Sequence, residues 1–362
     1  MPPRKAEQIV QILRSEILSG QRAPGDKLPT YDAFVEQFGV TRPTVARGLR
    51  ALRSEGLVTA DGTRGVFVAR TLPHHSRYLW VTSERPGTPE WTSLSATILG
   101  LIERGETGLA GDVVALVGVD GRANNPAYQR LCEAVEHGAA AGLLLTGATS
   151  LLPILEAPGL PRVAVDAPVP HAEVLGLDMK ALIELAAARL MKRGRRLAVL
   201  SPHAAQLAQA RSSLRARGLD PRLLSALQVG PVGCEALTRL LFERADRPDA
   251  VFVTDDSLVA PLLEGLESAK ARPGRDVAVL AHCNWPRPFG ADDGVERIGF
   301  DAREVLAAAK VSLDAQRAGE APRALVVAPR FATERPRPRH TPAPRLTVAT
   351  LARASRGMAS AA

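Results

Sequence analysis

From residue 78 to about residue 300, short apolar runs alternate with longer amphipathic stretches, and this alternation constrains the fold more than any other feature. The runs are YLWVT (78–82), VVALV (113–117), GLLLT (142–146), RVAVD (162–166), VLGLD (174–178), LAVLS (197–201), AVFVT (250–254), VAVLA (277–281) and ERIGF (296–300). Between most of them lie segments of helical period, such as LSATILGLIERG and ALIELAAARLMKRG. A strand that is apolar on both faces must be covered on both faces. The pattern therefore predicts an α/β fold with doubly wound parallel sheets. About ten strands suit two sheets better than one, so a two-lobed body is expected over 78–332. Ligands in such folds bind beyond the carboxyl ends of the strands. That rule singles out Ser83, Asp166, Asp178, Ser201, Asp255, Asp256, His282, Cys283 and Asn284.

The first seventy residues follow a different pattern. Ile9, Leu13 and Ile17 recur at four-residue spacing, which predicts a helix over 6–18 that Gly20 stops. Thr30 is the expected N-cap of a second helix, Tyr31 to Phe38, with Gly39 at its left-handed end. Thr41 is the expected N-cap of a third, with Pro43 in its first turn, running to about Ser54. A two-stranded hairpin then turns through a Gly-rich tip at Asp61–Gly65. Three helices and a hairpin in this order make a winged helix-turn-helix. In that arrangement Thr41, Arg42, Pro43 and Thr44 present the first turn of the third helix to a major groove. There an arginine forks onto guanine and a threonine touches a thymine methyl. Arg47 and Arg50, further along, reach phosphates. Arg64 at the thin tip suits a minor groove, with Gly65 beside it. Lys27 and Thr30, before the second helix, complete the expected DNA-contacting set.

Charge agrees with that placement. The net +8 divides into a basic head (1–70), a body near neutrality (78–332) and a basic Pro/Arg-rich tail (333–362). The tail is expected to be disordered, and 71–77 to be a plain linker with no helix. Three widely spaced cysteines cannot build a disulfide framework or a four-thiolate zinc site. No apolar run approaches the roughly 18 residues of a membrane span, and the N-terminus lacks a signal-peptide core. A cytoplasmic protein with no metal and no cofactor is expected. Adjacent His74 and His75 have no further ligands at metal spacing. The chain has no dinucleotide glycine motif, no P-loop and no nucleophile elbow. His282 and Cys283, neighbours on a strand, point to opposite faces and cannot form a dyad. The chain is therefore not expected to be an enzyme.

Two resemblances sharpen these expectations. GDKLPTYDAFVEQFGVTRPTVARGLRALRSEGLVTADGTRGVFVAR resembles the DNA-binding domain of the gluconate-repressor (GntR) family, through LP, FGVTRPTV and EGLV. The resemblance implies groove contacts by Thr41, Arg42 and Thr44, and wing contacts by Arg64 and Gly65. Tyr31-Asp32 stands where that family has Glu-Arg, and Ala46 where it has Arg. The body, in VLGLDMKALIELAAARLMKRGRRLAVLS, PDAVFVTDDSLVAPLLEGLE and ERIGFDAREVLAAAK, is similar to the effector domain of the lactose/galactose-repressor (LacI/GalR) family, of periplasmic-binding-protein type I fold. By that likeness Asp178 matches a pocket aspartate and Asp255 the Asn of an Asn-Asp pair. Gln206 falls where the family has an effector-binding Arg, and Cys283 or Asn284 replaces a pocket Asp. Trp91 and Trp285 are candidate stacking faces for a sugar. The combination resembles arabinose-type repressors. It implies a homodimer binding double-stranded operator DNA, with a small effector, a sugar by the same likeness. A sugar-converting enzyme with a DNA-binding head, or a constitutive DNA-binding protein with a vestigial cleft, remain the alternatives.

Overall fold

A computed structural model describes residues 5–334, apart from 89, 110, 148, 150, 151, 157, 158, 287–293 and 322–324. Almost the whole of the tail lies outside the described residues.

The head is built from α1 (Lys5–Leu18), α2 (Tyr31–Phe38), α3 (Arg42–Ser54) and the hairpin β1 (Val58–Ala60) and β2 (Val66–Val68). Ile9, Leu13 and Ile17 form one stripe of α1 and are 1 % exposed or less; they meet Phe34, Val45, Leu49 and Leu52. Each such side chain contributes about 1.5–3 kcal/mol on burial. Gly48 sits mid-helix in α3, where glycine costs about 1 kcal/mol. It packs against α1, where a Cβ would meet the Ala6 carbonyl oxygen at 3.4 Å. The Thr30 hydroxyl caps α2 by accepting from Ala33 N–H, and Gly39 ends it at φ 59°. Thr41 precedes α3 in extended conformation but makes no side-chain cap; its hydroxyl lies 3.0 Å from that of Thr44. The wing tip is a single 3-10 turn, Gly62–Arg64. Residues 25–28 add to the wing's other edge, through Leu28 N–H to Val66 O and Val68 N–H to Asp26 O.

The connection is not a plain linker. Residues Pro73–Ser76 form a one-turn helix, α4, and Arg77 already belongs to β3 (Arg77–Thr82). Proline at the first turn and a Ser76 hydroxyl bonded back to Leu72 O favour the turn. Arg77 donates to Glu55 O of the head and to Asp112 of the body, and Arg317 donates to His75 O and Nδ1. Burial, then the charges of His75 and Arg317, push His74 down to about 4. Its neutral form is the folded one, so protonation favours the unfolded chain. Stability present above pH 6.5 is expected to fall as pH drops from about 6.5 toward about 4. His74→Gln should flatten that part of a thermal-denaturation pH series.

The body has two lobes. β3, α5 (Ser93–Glu103), β4 (Asp112–Val117), α6 (Pro126–Glu136), β5 (Gly142–Thr146), β6 (Arg162–Val165) and β7 (Glu173–Leu177) make the first. α7 (Met179–Arg193) leads into the second: β8 (Leu197–Ser201), α8 (Ala204–Ala216), β9 (Leu224–Gln228), α9 (Pro231–Phe242), β10 (Ala250–Val253), α10 (Val259–Ser268), β11 (Ala278–Trp285) and β12 (Val295–Asp301). α11 (Ala302–Arg317) returns to the first lobe. β13 (Leu325–Val327) then pairs with β7, and β14 (Arg330–Phe331) pairs with β12 in the second. The sheet orders are β13-β7-β6-β5-β3-β4 and β14-β12-β11-β10-β8-β9, all parallel but for β14. The five consecutive strands of each follow the doubly wound 2-1-3-4-5 order. Nearly every residue of β3, β5, β6, β8 and β10 is buried, as the unbroken apolar runs require. β9, β13 and β14 have no counterpart among the runs read from sequence, and β11 continues four residues past its apolar run.

Candidate functional site

Two sites emerge, one on the head and one between the lobes. On the head, α3 presents Arg42, Pro43, Arg47 and Arg50 to solvent, with Thr44 half-buried behind them. Arg42 is held by Asp32 of α2 through Nε–Oδ1 at 2.9 Å and Nη2–Oδ2 at 3.1 Å, both side chains being mostly exposed. The residue standing in place of an expected arginine thus pairs with the arginine expected to contact the groove. Arg50 folds back onto Ala46 O at 3.3 Å. At the wing, Arg64 pairs with Asp61 at 3.1 Å. Lys27 lies along the wing with Nζ 5.9 Å from the Phe67 ring. Gly65, at φ 118°, is where that lysine passes: a Cβ would sit 3.1 Å from Lys27 Cε. Lys27 and Gly65 therefore share one surface. Thr30 is exposed and caps α2.

Between the lobes lies a cleft of about 590 Å³ at the carboxyl ends of β3, β5, β6, β8, β10 and β11. Of the residues expected there, Trp91, Gln206, Asp255 and Asn284 line it. Gln206 Oε1 is bonded to Thr254 Oγ1 (2.5 Å) and Ser201 Oγ (3.1 Å), which fixes it at the head of α8. Asp255 accepts from Ser257 N–H at 2.9 Å and caps the turn leading to α10. Trp91 stands against Trp80 at 6.4 Å between ring centres, and Trp80 Nε1 donates to Thr146. Asn284 Nδ2 donates to Ser93 Oγ at 2.7 Å, joining β11 of one lobe to α5 of the other.

Three expected residues are elsewhere. Asp178 is the N-cap of α7, accepting from Ala181 N–H at 2.8 Å, and does not face the cleft. Trp285 is 4 % exposed, on the opposite side of β11 from Asn284. Ser83 sits on the turn after β3, its Oγ 2.9 Å from where a Gly147 Cβ would stand, behind the lining.

The structure adds Glu84 to the lining and shows how two of the strand-end residues, Asp166 and His282, are held there. Glu84 is buried and accepts from both the N–H and the hydroxyl of Thr92, the N-cap of α5. Its place depends on Thr92 at the start of α5, a contact that no spacing along the chain announces. Asp166 has φ 51°, accepts from Leu177 N–H at 2.7 Å, and desolvation pushes its carboxyl up. Left-handed backbone at a non-glycine residue costs about 1 kcal/mol or more and clusters at ligand sites. His282 lies edge-on to Phe300 at 6.0 Å, and burial lowers its pKa against the opposing charges of Asp256 and Asp255. Both its ring nitrogens and Asn284 Oδ1 are buried without a hydrogen-bond partner. Cys283, on the other face, is buried against Ile298 O. No group of three or more metal-ligating side chains occurs among the described residues. No helix among them is long and apolar enough to cross a membrane.

Fold and geometry define a winged helix-turn-helix joined to a two-lobed α/β body, and each half has counterparts among known proteins. Residues 5–68 match the family described as bacterial regulatory proteins, gntR family, so this segment is a GntR-family helix-turn-helix. It is 38 % identical over 63 residues to the HTH-type transcriptional repressor NagR of Bacillus subtilis, covering 17 % of this chain and 26 % of that protein. It is likewise 38 % identical over 66 residues to the arabinose metabolism transcriptional repressor of Geobacillus stearothermophilus, covering 18 % of each chain. The matched segment thus spans about a quarter or less of these relatives' length. The body shares its fold with a LacI-family transcriptional regulator from Enterococcus faecium solved with bound ribose. The TM-score is 0.52 at 18 % identity, covering 70 % of this chain and 96 % of that one.

Proposed function

We propose that this chain is a ligand-responsive transcription regulator, acting as a repressor in the cytoplasm without catalytic activity of its own. Two copies bind a two-fold operator through α3 and the wing. A small hydroxylated molecule, of the carbohydrate class, binds between the lobes. Closure around it changes the spacing of the two heads, so effector and DNA bind different states with different affinity. We assign the domains as 1–70, 71–77, 78–332 and 333–362, with α4 making the second a structured joint.

One observation carries this reading. A helix-turn-helix with exposed Arg42, Arg47 and Arg50 is tied through Arg77 and Arg317 to a body whose cleft holds buried, unsatisfied polar atoms. The named relatives of the head are repressors, and the fold neighbour of the body holds ribose. The test is a fluorescence-anisotropy titration of the full chain against the DNA upstream of its own reading frame. Binding is expected to prefer that DNA and to weaken with salt, the log–log slope being about −0.9 per phosphate contacted. Binding without sequence preference, or insensitive to salt, overturns the proposal.

A further inference from the structure

The fixed charge in the cleft has one sign. Among the described lining residues, Glu84, Glu90 and Asp166 come from the first lobe and Asp255 and Asp256 from the second, and no Lys or Arg accompanies them. Neutral groups supply the hydrogen bonds described at three of these carboxylates: Thr92 to Glu84, Leu177 N–H to Asp166, and Ser257 to Asp255. Those bonds orient the carboxylates and leave their charge in place.

Open acceptor valences lie in the same space. Asn284 is 4 % exposed; its amide nitrogen donates to Ser93, and its Oδ1 has no partner. Burial favours neutral His282, which offers one accepting ring nitrogen and one N–H donor. Each such buried, unfilled acceptor carries a desolvation penalty that a donor on a ligand removes. Trp91 adds an aromatic wall, and the face of an indole attracts a desolvated cation.

A sugar acid or sugar phosphate would bring negative charge into an already negative cleft. A neutral sugar would fill the acceptors and bring no positive charge to Asp166 and Asp255, one from each lobe. We infer that the cleft is built for a small organic cation: a protonated amine carried on a hydroxyl-rich frame. The ammonium sits between the carboxylates of the two lobes, hydroxyls donate to Asn284 and His282, and the frame lies against Trp91. This deepens the reading of the cleft as the effector site and rests on it. It also supplies a cause for closure. The acidic walls repel one another across the empty cleft, and a cation between them reverses the sign of that force.

The experiment uses the full-length chain at low salt in a thermal-shift and calorimetric panel. Glucosamine, galactosamine, mannosamine, putrescine and spermidine are compared with glucose, galactose, mannose, glucuronate and glucose 6-phosphate. At least one amino sugar is expected to raise the unfolding temperature by several degrees at millimolar concentration, more than its neutral parent. The two anions are expected to leave it unchanged. Asp166→Asn, which keeps a residue tolerant of left-handed backbone, and Asp255→Asn are each expected to weaken that amino sugar at least about tenfold. Higher salt should weaken the amino sugar and spare its parent. Equal or larger shifts from neutral sugars or anions, no shift from any amine, or unchanged amine affinity in both variants overturns the inference. DNA titration of the unliganded chain is read separately. If DNA binding fails, the regulator reading falls; if only the panel fails, the choice of a cationic ligand falls.

Discussion

Gly299→Ala is expected to leave the second lobe without a stable sheet. Gly299 lies on β12 directly opposite Cys283 of β11. A Cβ built there would stand 1.8 Å from the Cys283 carbonyl oxygen and 3.0 Å from its nitrogen. The obstruction is backbone, so no rotamer change relieves it. The flanking Ile298 and Phe300 are fully buried, which prevents the strand from lifting away. Ordinary overpacking costs about 1–3 kcal/mol, and a clash with main chain in a sheet centre should exceed that. Circular dichroism and thermal denaturation are the measurements. The expected signature is loss of the body's transition with that of the head kept, since the head has its own core. Gly230→Ala is the control: nothing lies within 4 Å of its Cβ position. A Gly299→Ala chain melting within a degree or two of the parent would show that the β11–β12 pairing is not as described.

The second large effect concerns recognition and rests on the proposed function. Arg42→Ala is expected to cut affinity for the specific operator about tenfold to a hundredfold, the value of a forked arginine–guanine contact of about 1–3 kcal/mol. Non-specific binding should change far less. Arg42→Lys should not restore the loss, because an ammonium lacks the planar fork. The ion pair to Asp32 gives the opposite expectation for Asp32→Ala. Removing an exposed carboxylate that faces Arg42 should strengthen binding to any duplex a few-fold and steepen its salt dependence. Anisotropy titrations on specific and scrambled duplexes at two salt concentrations separate these outcomes. Equal losses on both duplexes would make Arg42 a phosphate contact.

Much of the fold was legible because the strongest signals are local. The four-residue spacing of Ile9, Leu13 and Ile17, the Thr30 cap and the Gly39 stop each act within one helix. The buried parallel strands declared themselves as unbroken apolar runs. What was not legible depends on partners far away in the chain. β13 and β14 are three and two residues long and are strands only because β7 and β12 are there to pair with. β9 is an edge strand of half-buried residues, so it carries no apolar run. β11 continues through His282-Cys283-Asn284-Trp285, where alternation sends polar residues to the cleft and Cys283 and Trp285 inward. That period decides against Trp285 as a stacking face and in favour of Asn284. Asp178 shows a helix-cap pattern, an acid just before a helical run, which outweighed its place at a strand end. Glu84 reaches the cleft through the docking of α5, which no spacing along the chain encodes.

The path of the closing strands also bears on the order in which this molecule can assemble. Each lobe takes its last strand from the short stretch 325–331, after the chain has already crossed between lobes twice. Apart from Leu72 and the Arg77 contact to Glu55 O, the head's core lies within its first seventy residues, so most of it can fold while the rest is still being synthesised. Neither lobe can complete its sheet until those final strands emerge, and until then the edges of β7 and β12 stand open to pairing with other chains. A ribosome stalled between about residue 80 and residue 325 would therefore hold a folded winged head beside a body exposed to aggregation.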